Sequence, residues 1–167
     1  MANFASALSA LKAGVRAWRN GWNGKGQFVY LVPGSTFEVN RPPLLGILPA
    51  GTEVRYHAHI DFKSAQGYCV PWIASHTDAL SSDWEFEDYD DTPPPNPRSL
   101  EANFPALLTG QRLSRSGWNG AGMYIRLQPK LYDFLPYVAL RVPVTGKFVA
   151  FSWAQQDLLG EDWDIAP

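Results

Sequence analysis

The chain has 167 residues, 46% hydrophobic and 14% aromatic, which is enough apolar material to bury a core. Its net charge of −2 and pI near 5.9 exclude the strongly basic balance of a protein that neutralises a long phosphate backbone. No DNA or RNA polymer is therefore an expected partner, although a few local arginines would suffice for a small anionic ligand. The single cysteine, Cys69, excludes an internal disulfide, and no segment reads as a signal peptide or membrane span, so no membrane association is expected and the cytoplasm is the expected compartment.

The elements follow in chain order. Phe4, Leu8 and Leu11 fall on one helical face, with Asn3 placed to cap its start and Gly14 placed to stop it. An arginine-bearing segment from Arg16 to Arg19 leads into the turn Gly21-Trp22-Asn23-Gly24. The alternating run 27–32 predicts a strand. Residues 33–55, rich in Gly and Pro, predict a long loop. Further strands are expected over 52–62 and 68–73, with Gly67 turning a hairpin between them and Cys69 buried on the second. Residues 75–80 read as a helical turn before Asp83-Trp84. An acidic and then proline-rich segment follows, whose composition suits a semi-extended spacer.

The same order then recurs. Gly117-Trp118-Asn119-Gly120 repeats the tetrapeptide at an offset of 117 − 21 = 96 residues, within matching frames that begin at Arg19 and Arg115. Leu100, Phe104 and Leu107 repeat the helix face, Ser99 its cap and Gly110 its stop. Strands are expected over 123–127, 137–142 and 147–152, with Gly146 at a hairpin turn, and a helical turn over 155–159. At the end, Asp162-Trp163 matches Asp83-Trp84 at an offset of 163 − 84 = 79, so the second copy is shorter by 96 − 79 = 17 residues, lost around 33–55. The expected organisation is a complete repeat at 1–86, a linker at 87–98 and a shortened repeat at 99–167. The fold class is α+β: two units, each a short N-terminal helix plus a small antiparallel sheet, packed as a pseudo-dimer because each unit alone is small.

Several residues carry possible chemistry. The two glycines of each Gly-Trp-Asn-Gly turn allow positive φ and close backbone approach. Trp22 and Trp118 either sit in the core or stack on a flat ring whose edge Asn23 and Asn119 read. His57, His59 and Asp61 would project from one face of a strand and could seat a metal ion. At an offset of 79, however, the second copy has Pro136, Val138 and Leu140 there, and no other His/Cys cluster completes a site, so no metal is expected. Asp78 and Asp83 recur as Asp157 and Asp162 and suit acid–base work or capping of the helical turn. His76 becomes Gln155, an exchange that hydrogen bonding tolerates better than general-base chemistry. No P-loop, dinucleotide fingerprint or nucleophile elbow is present, which favours binding over turnover and implies neither cofactor nor catalytic residue.

These motifs together resemble the second Thoeris anti-defense family of phage proteins. The resemblance rests on Phe4 to Leu8, Gly21-Trp-Asn-Gly-Lys-Gly26, Val32-Pro-Gly-Ser35, His59-Ile-Asp61, the run from Val70 to Leu80, and Asp83-Trp84. It covers essentially all of 1–86. The second half retains the opening motif and the Asp-x-Leu and Asp-Trp ending but lacks the Val-Pro-Gly-Ser and His-Ile-Asp elements.

The resemblance implies a non-enzymatic sponge that binds glyco-cyclic ADP-ribose made by Thoeris TIR proteins, holds it intact and keeps the downstream effector off. Some members also hold cyclic dinucleotides at a separate site. The family forms homo-oligomers with pockets between subunits, so one tandem chain would supply two subunits and two chains would pair. The implied setting is the host bacterial cytoplasm. The expected ligand-binding residues are Arg19, Trp22, Asn23, Tyr30, His59, Asp61, Trp72, Ser75 and Asp78 of the first repeat, with a wall of Trp118, Asn119 and Asp157 from the second. Two other function classes remain open on the residues: a nucleotide-cleaving enzyme using His59, Asp61 and His76, and a structural or carbohydrate-binding phage module, since seven tryptophans suit sugar stacking.

Overall fold

The computed structural model of the chain describes residues 2–88 and 94–167. The first repeat runs α1 (Phe4–Lys12), β1 (Ala17–Arg19), β2 (Phe28–Val32), β3 (Ser35–Glu38), β4 (Glu53–Tyr56), β5 (His59–Lys63), β6 (Cys69–Pro71), α2 (His76–Ala79) and β7 (Trp84–Phe86). The second runs α3 (Leu100–Leu108), β8 (Leu113–Arg115), β9 (Tyr124–Gln128), β10 (Tyr137–Arg141), β11 (Phe148–Ala150), α4 (Gln155–Leu158) and β12 (Trp163–Ile165). Each repeat builds a five-stranded antiparallel sheet with the same connectivity, β6-β5-β2-β1-β7 and β11-β10-β9-β8-β12. The α+β class and the paired units are as expected. Of the expected linker at 87–98, residues 89–93 lie outside the described residues.

Local chemistry explains the helices. The Asn3 side chain accepts from the Ser6 N–H at 3.0 Å, and the Ser99 hydroxyl accepts from the Ala102 N–H at 3.3 Å, so both helices begin where the caps stand. Both end at a glycine with positive φ, Gly14 at 87° and Gly110 at 93°, a conformation that glycine adopts without a Cβ clash. The apolar faces of α1 and α3 then pack on each other. Phe4, Leu8 and Leu11 join Leu100, Phe104 and Leu107 in one hydrophobic core, with the Phe4 and Phe104 rings 5.6 Å apart edge-to-face. Lys12 crosses to Glu101 at 2.9 Å, an ion pair between the repeats beside that core. The core is thus shared, and the inner face of each sheet covers one side of it.

Four expectations change. The stretch 33–55 is more than a loop: β3 and β4 pair as a two-stranded ribbon with Ser35 opposite Tyr56. The expected strand 52–62 is broken, since β4 belongs to that ribbon and β5 to the main sheet, with His57 between them. Cys69 is exposed. It lies on the edge strand β6 opposite Lys63, on the sheet face turned away from the core. Positive φ in the Gly-Trp-Asn-Gly frame falls at Gly26 and Gly122, beyond the tetrapeptide.

The register also moves one equivalence. Tyr30 pairs with Asp61 and Val29 with Phe62, whereas Arg126 pairs with Ala139 and Ile125 with Leu140. Asp61 therefore corresponds to Ala139, and Leu140 takes the place of Phe62. The offset on this strand is 139 − 61 = 78, and the hairpin that follows is one residue longer in the second repeat, which restores 79. A one-residue shift moves a side chain to the opposite face of a sheet, so this correction decides which chemistry faces solvent.

Candidate functional site

The duplicated tetrapeptide is anchored by a duplicated arginine. Arg19 donates from Nη1 to Asp78 at 2.7 Å and from Nε to Asp83 at 2.7 Å. Arg115 does the same to Asp157 at 2.8 Å and Asp162 at 2.7 Å. Asp83 also accepts the Gly21 N–H at 2.8 Å, and Asp162 the Gly117 N–H at 2.7 Å. A Cβ on Gly21 would meet the Asp83 carboxylate at 2.8 Å, which explains glycine there. Trp22 and Trp118 donate their indole N–H to Asp78 and Asp157, each at 3.1 Å. Trp84 and Trp163 donate to the backbone carbonyls of the same two aspartates.

The node is electrostatically settled. Burial works against the Arg19 charge, but hydrogen bonds and charge from Asp83 and Asp78 outweigh it and hold its pKa above the ordinary value; Arg115 behaves likewise beside Asp157 and Asp162. Arg19 holds the Asp83 carboxyl well below the usual range. Burial would raise Asp78, yet hydrogen bonds from Ser75, Arg19 and Trp22 keep it low. Ser75 and Asp78 form a reciprocal cap at the start of α2, whereas Ala154 stands at the matching position of α4 and lacks the hydroxyl. Arg19, Ser75, Asp78 and Asp157 are thus occupied in shaping the turn.

The indoles are packed by their faces and edges. Trp22 lies edge-to-face against Phe62, Trp72 and Trp84, with centroids 5.3, 6.5 and 5.5 Å away, and Trp72 is buried. Trp118 packs likewise against Phe151 and Trp163. Asn23 and Asn119 stand exposed at the turn tips.

His76 and Gln155 connect the repeats. The Ile60 N–H donates to the Gln155 amide oxygen at 2.8 Å, and the Gln155 amide nitrogen donates to the Ile60 and Trp72 carbonyls at 3.0 and 2.5 Å. The matching His76 accepts the Val138 N–H on Nδ1 at 3.3 Å. Burial lowers the His76 pKa, which favours the neutral acceptor. Each short helix therefore reaches into the opposite sheet. His76 meets β10, while His59 and Asp61 sit on β5, which Gln155 reaches.

His59, Asp61 and Tyr30 do come together, on the face of the first sheet turned away from the core. His59 Nε2 lies 3.4 Å from Asp61 Oδ1, and the Tyr30 hydroxyl donates to Asp61 Oδ2 at 3.4 Å. The neighbouring Cys69 thiol, then burial and nearby charge, push the Tyr30 phenol up to about 12, so it stays a donor. Asp61 Oδ1 is buried without a hydrogen bond, although His59 lies within ion-pair distance. A buried carboxylate oxygen in that state is a strong acceptor for an incoming hydroxyl or amine. Among the described residues, no group of three or more His, Cys, Asp or Glu side chains is arranged to hold a metal ion.

The matching face of the second sheet carries residues that the motif reading passed over. Arg112, Arg126 and Arg141 stack on aromatic rings there, with Arg112 4.9 Å and Arg141 5.8 Å from the Tyr124 centroid and Arg126 3.8 Å from that of Phe148. The available signal was the alternation of Tyr124 and Arg126 along a strand, which puts both on one face.

Comparison with known proteins matches both repeats to one family. Residues 2–86 and 99–166 each match the model of the Thoeris anti-defense 2-like domain. The chain is also 29% identical over 92 residues to Thoeris anti-defense 2 of Bacillus phage SP01, an alignment covering 50% of this chain and 91% of that protein. With nearly every residue inside one of two matches, and each match built on its own sheet of the same connectivity with its own arginine node, the chain belongs to the Thoeris anti-defense 2-like family as a tandem of two domains.

Proposed function

We propose that this protein counters Thoeris defence by binding and sequestering a cyclic nucleotide immune signal, of the glyco-cyclic ADP-ribose or cyclic dinucleotide type, without cleaving it. The observation that carries the reading is the match of both repeats to the anti-defense family. The geometry supports it. Tyr30, His59 and Asp61 offer a donor and acceptors to ribose hydroxyls and base edges. Asn23 and Asn119 offer exposed amides at the turn tips, and Trp22 with Trp72 in one repeat and Trp118 in the other pack on the core side and fix those turns. Arg19, Ser75, Asp78 and Asp157 hold the turns in shape, a preformed arrangement that limits the ordering cost of binding.

Binding rather than turnover is supported by how the titratable groups are used. Asp78, Asp83, Asp157 and Asp162 are tied to the two node arginines, and His76 to the opposite sheet. An effective sponge needs a nanomolar Kd, or about −12 kcal/mol. The site of action is the host bacterial cytoplasm, where the signal is made. Two tandem chains pair, and pairing would cover exposed apolar side chains such as Ile47, Leu131, Phe134 and Leu135.

The test is direct. The protein is loaded with glyco-cyclic ADP-ribose, separated from free ligand, denatured by heat, and the released nucleotide analysed. Intact ligand in stoichiometric amount is expected. A cleaved product would establish an enzyme, and absence of binding to any cyclic nucleotide would remove the reading. Light scattering on the same sample reads the pairing of chains.

A further inference from the structure

The two repeats carry the same groove in two states. In the second repeat it is about 550 Å³, lined by Arg112, Ser114, Tyr124 and Arg141 together with residues of the Gly-Trp-Asn-Gly loop and the end of the chain at Ala166 and Pro167. The matching groove of the first repeat is about 280 Å³, lined by Arg16, Trp18, Gln27 and Phe28. The ladder fixes the correspondence, since Phe28 pairs with Lys63 where Tyr124 pairs with Arg141. The ring floor and its flanking cations are kept. What differs is what fills the groove and what neutralises it.

Two replacements account for the difference. Trp18 becomes Ser114, which removes an indole from the groove. Glu87, which accepts from Arg16 Nε at 2.8 Å and Nη2 at 2.5 Å, becomes Ala166, so Arg112 has lost that carboxylate. Arg112 instead bonds a main-chain oxygen of Pro167, the last residue of the sequence, at 3.1 Å and stacks on Tyr124. Arg141 bonds the Gly122 carbonyl at 3.2 Å and flanks the same ring.

The change continues along the sheet face. Tyr30 and Asp61 become Arg126 and Ala139, and Cys69 becomes Phe148, on which Arg126 stacks. Arg16, Lys63, Glu87 and Asp61 balance on the first face, whereas the second presents Arg112, Arg126 and Arg141. Each face has one more carboxylate, Glu85 or Asp164, held by Asn20 at 2.6 Å or by Arg98 at 2.6 Å. In a chain of net charge −2, two ring-flanking arginines in an open groove, with a third beyond it on the same face, form a local positive patch.

We propose that the second-repeat groove is a binding site for the phosphates of a nucleoside diphosphate-like molecule, with Arg112 and Arg141 as its clamp and Tyr124 as its floor. Each guanidinium gives an Nη1 donor to a main-chain oxygen and keeps its other in-plane N–H groups for phosphate contact, with little freedom left to lose on binding. The volume suits a ligand of that size. Arg126 extends the positive face beyond the groove. The inference stands on the groove alone and is independent of which immune signal the protein captures.

The experiment titrates the full chain by calorimetry with inorganic pyrophosphate, ADP and adenosine at low and moderate salt. Pyrophosphate and ADP are expected to bind and to weaken as salt rises, with adenosine at least tenfold weaker. The double variant Ser114→Trp/Ala166→Glu, which copies the first repeat's own pair, is expected to lower ADP affinity at least tenfold while its thermal midpoint stays near that of the parent. Arg141→Lys, which keeps the charge and loses the bidentate fork, is expected to weaken ADP several-fold and guards against a folding artefact in the double variant. Adenosine binding as well as ADP, unchanged affinity in both variants, no ADP binding at millimolar concentration, or a short oligonucleotide displacing ADP at lower concentration would each overturn the proposal. A chain that captures glyco-cyclic ADP-ribose yet ignores pyrophosphate would sink this site and leave the proposed function standing.

Discussion

The two repeats differ least at the arginine node inside each and most where they face solvent. Arg19 with Asp78 and Asp83, and Arg115 with Asp157 and Asp162, match to within 0.1 Å in their principal contacts. The outward sheet faces keep a ring flanked by two cations, but beyond it Tyr30, His59 and Asp61 stand on one and Arg126 stacked on Phe148 on the other. The lesson is that duplication preserved the framework and released the surface. Once two copies sit in one chain, a change on one face need not be copied on the other.

The sharpest way to break this comparison is at the node. Arg19→Ala and Arg115→Ala each leave two carboxylates without their cation, and each should destabilise the protein by about 3 kcal/mol, as expected for breaking a mostly buried pair. Urea unfolding of the two variants should give similar losses; a loss at one site only would mean that the nodes are not equivalent.

Acid probes the same node. Asp78, Asp83 and Asp162 have folded pKa values below their unfolded ones. Their stabilisation is complete above the unfolded carboxylate range and is lost as pH falls below about 4 towards the folded values. His76, lowered by burial, adds a milder loss as pH falls below about 6.5. Thermal midpoints measured from pH 7 to pH 2 should show a small decline first and a steep one later; a flat profile would remove the electrostatic account.

The inter-repeat links come next. Gln155→Ala takes three hydrogen bonds from the first repeat, leaving the Ile60 N–H and the Trp72 carbonyl without that partner while the Ile60 carbonyl keeps the Trp72 N–H, and should cost about 2 kcal/mol, whereas His76→Ala removes one bond from the Val138 N–H and should cost about 1 kcal/mol. Equal costs would show that the pseudo-symmetric contacts carry equal weight despite their different hydrogen bonds. The smallest expected effect is Ser75→Ala, about 1 kcal/mol or less, because α4 forms with alanine at its matching cap. Chemical denaturation resolves all three, and a Ser75→Ala loss above 2 kcal/mol would mean that the cap does more than start a helix.

The sequence by itself determined the duplication, both helix caps and stops, the α+β class and most strands. Those features depend on residues a few positions apart: Asn3 and Ser6, Gly14 at a helix end, alternation through 27–32 and 123–127. It also brought Tyr30, His59 and Asp61 into view as chemistry, and two of these are near neighbours on one strand. Only the tertiary structure decided what Trp22 packs against, that Gln155 and His76 serve the opposite repeat, that Cys69 faces outward, and that Asp61 corresponds to Ala139. Each of these turns on a partner far away in the chain or on a one-residue register. A residue's type limits the partners it can take, but only packing selects one. The arginine groove is the clearest case, since Arg112, Tyr124, Arg141 and the absent counterpart of Glu87 lie on separate segments and meet only when the sheet is formed.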